Sequence, residues 1–317
     1  MRAFTSTLIA SMAALLLAGC AGFDPAGYRA FAISPTVEAA PAPGRLAWHG
    51  LPLETGQIIV TEHPGGASLF LSLATRDFSP YLHIGLIAIE QNQPYVYEAM
   101  GAMLPMPWAR PNAHMGGGVQ RVTLARFLAR GGIIAIYAPP PIADRHVLAE
   151  FMRSSWRDFV PFDSRYDARD SSKYYCVEFV ARALEAAGAA PVRATPVTRN
   201  ASMRVALDWL DIRTGELLMA GSVIANERRV ALVSRGLSET EIERYFLLKR
   251  ELHRRFTPDQ RLGSVVFWHR QKLRLRPRVD EYYEAGILTQ TDPAVLADRM
   301  FETSGPADSG RVATAGR

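Results

Sequence analysis

The sequence predicts an α+β fold, and three features predict it. Short β-branched and apolar runs crowd the stretch from residue 53 to 137, helical periodicity closes that stretch up to residue 190, and a capped helical segment follows near residue 238. In chain order, Gln57-Ile58-Ile59-Val60 after Gly56 reads as a strand and residues 67 to 74 as a helix. The runs 82 to 89 and 94 to 99 flank Gln91-Asn92-Gln93 and predict an antiparallel hairpin. Further strands fall at 119 to 124 and at 133 to 137, the latter ended by Pro139-Pro140-Pro141. Helices are expected at 142 to 159 and at 174 to 187, where Val177, Val180, Ala181 and Leu184 share one face and Gly188 is the stop.

Past residue 190 the pattern becomes mainly helical. Ser238-Glu239-Thr240-Glu241 is a capping box that opens a helix to about Arg255, and Thr257-Pro258 starts another that ends before Pro277. The expected organisation is a domain over 51–190, a helical extension over 191–302 and a disordered tail over 303–317, which has almost no large apolar side chains. No internal repeat is visible.

Residues 1–19 read as a lipoprotein signal peptide: Arg2 supplies charge, residues 8 to 17 an apolar core too short to span a bilayer, and Leu17-Ala18-Gly19-Cys20 the cleavage box. Mature Cys20 would carry acyl chains and anchor the chain to a membrane. Ala21 rather than Asp after it favours the periplasmic face of the outer membrane in a Gram-negative host. Residues 20–50, with Pro25, Pro35, Pro41 and Pro43, are expected to form a flexible tether reaching roughly 5–6 Å times the square root of its length. With Cys20 acylated, Cys176 is the one remaining cysteine of two, which excludes a disulfide framework and a cysteine-rich metal site. The net charge of +5 is modest, and its basic excess lies between Lys249 and Arg278, so no nucleic-acid partner is expected. No cofactor or metal is expected, and no oligomeric state follows from these features.

A lone thiol at a helix start, in a compartment that oxidises thiols, reads as a nucleophile. It needs a base and a group to orient that base. His83 lies inside an apolar strand two residues before Gly85, where a substrate backbone could approach, and Glu98 on the partner strand falls opposite or diagonal to it. The helix start adds partial positive charge at Cys176. Each residue alone has an ordinary structural reading; the three together point to a Cys-His-Glu set. Gly-x-Ser-x-Gly, Ser-x-x-Lys, His-Glu-x-x-His and phosphate-loop motifs are absent from the sequence. Gly116-Gly117-Gly118 is expected to be a loop hinge, and Phe267 to Lys272 a helix with a solvated basic face, the alternative being a surface for anionic lipid or cell-wall polymer.

Gly56-Gln57-Ile58-Ile59, Ser79-Pro80-Tyr81-Leu82-His83-Ile84-Gly85, Tyr97-Glu98-Ala99, Phe162-Asp163 and Tyr175-Cys176-Val177-Glu178-Phe179-Val180 resemble the ordered motifs of the YiiX/YaeF-like cysteine hydrolases, the circularly permuted papain-fold branch of the NlpC-type superfamily. The resemblance spans about residues 53 to 190 and implies a central antiparallel sheet packed against the nucleophile helix. It also implies Cys176 as nucleophile, His83 as base and Glu98 as orienting carboxylate, with Tyr175, Tyr166, Asp163 and Glu178 as oxyanion or supporting residues. The chain departs from the family pattern at Gln57, Val177 and Phe162. At Phe162 the family often has a tyrosine, whose role Tyr166, Tyr174 or Tyr175 would have to take, beside the Cys176 backbone N–H. The implied activity is hydrolysis of an amide, with cell-wall peptide the first candidate. A lipid ester or N-acyl substrate, hydrolysed or transferred, is the alternative, and a non-catalytic binding lipoprotein is the reading from another class. A long apolar groove at Cys176 would favour acyl lipids, and a short polar cleft peptides.

Overall fold

The computed structural model describes residues 29–32, 45–48, 50–103, 115–234, 236–256, 258–269, 272–288 and 291–302. The signal peptide, the lipidation at Cys20, most of the tether, His49, His114 and the terminal tail lie outside the described residues.

The chain runs β1 (Arg29–Ala32), β2 (Arg45–Trp48), β3 (Leu51–Glu54), β4 (Ile58–Glu62), α1 (Gly66–Ala74), β5 (His83–Glu90), β6 (Gln93–Met103) and β7 (Met115–Thr123). It continues through α2 (Leu124–Leu128), β8 (Ile133–Tyr137), α3 (Arg145–Arg157), α4 (Cys176–Ala186), β9 (Thr195–Pro196), α5 (Ala201–Trp209), β10 (Glu216–Leu217), α6 (Ala220–Ile224) and β11 (Arg229–Ser234). It ends with α7 (Glu239–Arg255), β12 (Val266–His269), β13 (Lys272–Leu275), α8 (Pro277–Leu288) and α9 (Pro293–Glu302). The fold is α+β around a seven-stranded sheet ordered β1-β11-β8-β4-β5-β6-β7, in which every neighbouring pair is antiparallel.

Alternation along the strands builds two cores. Ile58, Val60, Ile84, Leu86 and Ala135 face a large core shared with Leu69, Leu148, Phe179 and Val180 of the helices. Ile59, Ile87, Ile134 and Ile136 face a smaller one closed by Leu51, Leu53 and Phe127. Strands β4 and β8 are buried on both faces, which explains the consecutive apolar residues Ile58-Ile59-Val60 and Ile133-Ile134-Ala135-Ile136. Each such Ile, Leu or Phe side chain contributes on the order of 1.5–3 kcal/mol relative to exposure.

Four expectations are corrected. The stretch 20–50 is not wholly a tether, because β1 pairs with β11 in the main sheet and β2 pairs with β3. Residues 191–302 are not an appendage: β11 lies between β1 and β8, and Ile242, Tyr245 and Leu248 of α7 belong to the same core as Ile58 and Phe179. The helix expected after Thr257-Pro258 is instead a 3₁₀ turn at Leu262–Ser264 followed by the β12–β13 hairpin, since Val265-Val266-Phe267-Trp268 is rich in β-branched and aromatic residues. Pro277 starts α8 rather than stopping a helix, the first helical position being where a missing N–H costs nothing.

Candidate active site

The hairpin sets the site. Gln91 and Asn92 both take positive φ, 49° and 59°, the geometry of a two-residue turn whose twist matches the strands it joins. The register that follows pairs Glu90 with Gln93 and Leu86 with Tyr97. Continued along the strands, it puts Glu98 opposite Gly85 and diagonal to His83. A Cβ on Gly85 would come within 2.8 Å of Val96 and 2.9 Å of the Tyr97 carbonyl. The glycine therefore admits the neighbouring strand rather than a substrate backbone, which corrects the sequence reading.

His83 Nε2 lies 2.6 Å from Glu98 Oε2. Cys176 lines the same cavity as His83, and its interaction with the ring raises the His83 pKa. Phe127 stacks against the ring at a centroid distance of 6.2 Å. Burial disfavours the imidazolium, but the hydrogen bonds and charge attraction of Cys176 and Glu98 outweigh it and hold His83 up to about 9. The Glu98 carboxylate is fully buried. It accepts from His83, from Gln120 Nε2 at 2.9 Å and from both terminal nitrogens of Arg130 at 2.6 and 2.7 Å. Burial would raise its pKa, yet His83 and Arg130 bring it below the usual carboxylate value.

Cys176 is the first residue of α4, half-buried, with Tyr175 as the N-cap in extended conformation. Its thiol opens onto a cavity of about 240 Å³ that is also lined by His83, His63, Arg130, Phe162 and Tyr166 and by the apolar side chains of Leu71, Leu82, Ala99 and Met100. Burial lowers the His63 pKa, opposed by Glu62 and reinforced by His83 and Arg130.

Of the predicted supporting residues, Tyr166 reaches the cavity and the others act behind it. Tyr166 has φ +56°, a conformation that costs an aromatic residue on the order of 1–3 kcal/mol and needs external support. Asp163 supplies it: its carboxylate accepts from the Arg165 and Asp167 backbone N–H groups, at 2.9 and 2.5 Å, and so closes the loop around Tyr166. Arg182 adds a bond to the Ala168 carbonyl and pairs with Glu178 at 3.5 Å. Burial pushes the Glu178 carboxyl up to about 8 against the pull of Arg182, with the nearby Asp163 charge adding to the rise. The Tyr166 hydroxyl is raised well above its ordinary value by burial first, then by the charges of Cys176 and Asp163, so it stays a proton donor. Phe162 packs edge-on against the Tyr166 ring at 6.1 Å.

Tyr175 is not an oxyanion donor. Its ring is buried and its hydroxyl accepts from the Leu218 backbone N–H at 2.9 Å, fastening α4 to the C-terminal half. The Gly116–Gly118 run is not a hinge. It lies in β7, where a Cβ on Gly118 would meet the Val160 carbonyl at 2.4 Å and where Gly117 accepts from the Phe162 N–H, so the glycines let the 160–162 segment lie against the sheet. Sequence reasoning missed Gln120, Arg130 and His63. The Arg130-Gly131-Gly132 turn, with both glycines at positive φ, was the available signal for Arg130.

No family model matches the chain, and no curated protein does. Among solved structures it is similar to one described as the crystal structure of metalloprotein yiiX from Escherichia coli O157:H7, DUF1105. Identity is 18%, the match covers 56% of this chain and 95% of that one, and the TM-score is 0.43, a likeness too slight to carry an argument about fold or chemistry. Among the described residues no group of three or more His, Cys, Asp or Glu side chains could hold a metal ion. None of the described helices is long and apolar enough to cross a membrane.

Proposed function

We propose that this chain is a cysteine hydrolase of the permuted papain type, and the observation that carries the proposal is the His83 ring, bound to Glu98 and sharing one cavity with Cys176. The Cys176 thiol passes its proton to His83 Nδ1, and the sulfur attacks a carbonyl carbon, forming a C–S bond and an oxyanion. The Tyr166 hydroxyl and the Cys176 backbone N–H receive that oxyanion. His83 then gives its proton to the leaving amine or alcohol as the C–N or C–O bond breaks, leaving a thioacyl-enzyme. A water that loses a proton to the same ring cleaves the thioester and restores the thiol. Glu98, itself fixed by Gln120 and Arg130, keeps the ring in one orientation through both steps.

The cavity is neither a long apolar groove nor a short polar cleft: it is small, and its walls are largely apolar. That shape supports an amide whose acyl side is one small apolar residue, as in a peptide. The apolar walls also favour a second reading, a short-chain acyl ester. Cell-wall peptide as the natural substrate rests on the proposed Cys20 anchor and its envelope location.

The test is turnover by the full chain of apolar N-acylated dipeptide amides beside short-chain acyl esters, wild type against Cys176→Ala. The expected result is hydrolysis that Cys176→Ala abolishes and a thioacyl adduct on Cys176 visible by mass spectrometry. Turnover that survives in Cys176→Ala would sink the proposal.

A further inference from the structure

A second, larger concavity lies away from Cys176. It has a volume of about 590 Å³ and is formed where the end of α1, the 75–76 and 196–199 loops and the last turns of α7 meet. Arg76, Arg199, Arg250 and Arg254 line it, and no Asp or Glu does. Its floor is apolar, with Leu73, Val197 and Phe256 buried. Arg254 pairs with Glu251 at 3.0 Å, and Arg250 lies over the Phe78 ring at 5.6 Å. Neither Arg76 nor Arg199 has a carboxylate within ion-pair distance among the described residues.

The two arginines on α7 have an ordinary role, since cations offset the negative end of a helix. That role does not extend to Arg76 and Arg199, which come from two other segments and converge on the same space. With Arg254 taken up by Glu251, the guanidinium groups of Arg76, Arg199 and Arg250 share a concavity that no carboxylate lines, and an anion bound among them relieves their mutual repulsion. The Thr198 hydroxyl oxygen accepts from the Asn200 N–H at 3.3 Å, which leaves its proton to donate into the concavity. His253 is fixed at the floor by Nε2, 3.0 Å from the Thr75 carbonyl.

We propose that this concavity is a binding site for a phosphate group, gripped by Arg76, Arg199 and Arg250 with Thr198, whose carrier lays an apolar portion on Leu73, Val197 and Phe256. Planar guanidinium forks match phosphate oxygens in pairs, which favours phosphate over chloride and gives the site chemical selectivity. The carrier can be a free phosphate ester or a lipid headgroup, and the two differ in charge. A monoester or pyrophosphate presents several negative charges, and a headgroup diester only one.

The full chain in non-ionic detergent is titrated with pyrophosphate and, separately, with glycerophosphoglycerol, a soluble phosphodiester headgroup, at near-physiological ionic strength. The comparison protein is Arg76→Gln/Arg199→Gln, both residues being exposed, with its melting temperature checked against wild type. Saturable binding is expected, weakened roughly tenfold or more in the double variant. Tighter binding of pyrophosphate assigns the site to free phosphate esters, and tighter binding of the diester to lipid headgroups. Binding of neither, or equal binding by wild type and a folded double variant, overturns the proposal.

Discussion

Glu98 and Glu62 are both fully buried carboxylates on the central sheet, and they are used in opposite ways. Glu98 on β6 is satisfied by His83, Gln120 and Arg130, and its His83 and Arg130 partners reach the cavity that Cys176 shares. Glu62 on β4 faces inward: its Oε1 accepts from Ser68, Tyr245 and Lys249, while Oε2 has no hydrogen-bond partner. Lys249 Nζ also bonds Ser68 and the Pro80 carbonyl, at 2.6 and 2.7 Å. One carboxylate orients the ring proposed as the base; the other fastens α7 of the C-terminal half to the sheet. Burial of an ion pair thus says little about role until the direction in which its partners point is known.

The sharpest way to break the comparison is Lys249→Met, which leaves Glu62 charged and unpaired in the core. A loss of about 3–5 kcal/mol is expected from urea unfolding, largely recovered when Glu62→Leu is added. Glu98→Gln should do the reverse. It keeps the size of the side chain but loses its charge on His83, so kcat/KM on the best substrate of the panel falls roughly tenfold to hundredfold while the urea midpoint moves far less than in Lys249→Met. If the two variants lose stability equally, Glu98 is structural in the way Glu62 is.

The smallest effect is in pH. Because the His83 value is raised from its ordinary 6.5 to about 9, its contribution to stability is full below about 6.5 and is lost as pH rises through about 9. In Cys176→Ala the hydrogen bond and charge that raise it disappear while burial remains. The His83 imidazole resonance should then titrate at a lower pH than in wild type. An unchanged midpoint would mean that Glu98 alone sets the ring's charge, and the two carboxylates would differ even more than described.

The hairpin and α4 were legible in the sequence because period-two alternation, a short polar turn and a one-faced helix are local signals. His83 and Glu98 followed from the turn, since register is fixed once its centre is known. What escaped was non-local. Arg130 reads as a solvated charge in a glycine turn, and only the close approach of that turn to β4 brings it to Glu98; a Cβ on Gly132 would lie 2.4 Å from the Glu62 carbonyl. Strand β11 is six residues long and sits far from its partners in sequence, so nothing local announces its place between β1 and β8. Lys249 shares a helix face with the buried Ile242, Tyr245 and Leu252, so helical periodicity turns it toward the core, but its partner Glu62 lies on a distant strand that nothing local announces.

The position of β11 has a consequence for synthesis. The histidine, carboxylate and thiol leave the ribosome well before residue 234, yet the strand that covers the β8 edge comes last of the seven. A nascent or truncated chain ending near residue 190 would hold His83, Glu98 and Cys176 and still present β8, largely apolar, as an open edge for pairing with other chains. Completion of the sheet therefore waits on a long-range strand pairing, a slow step for a chain of this topology, and the β8 edge stays open to association until β11 is made.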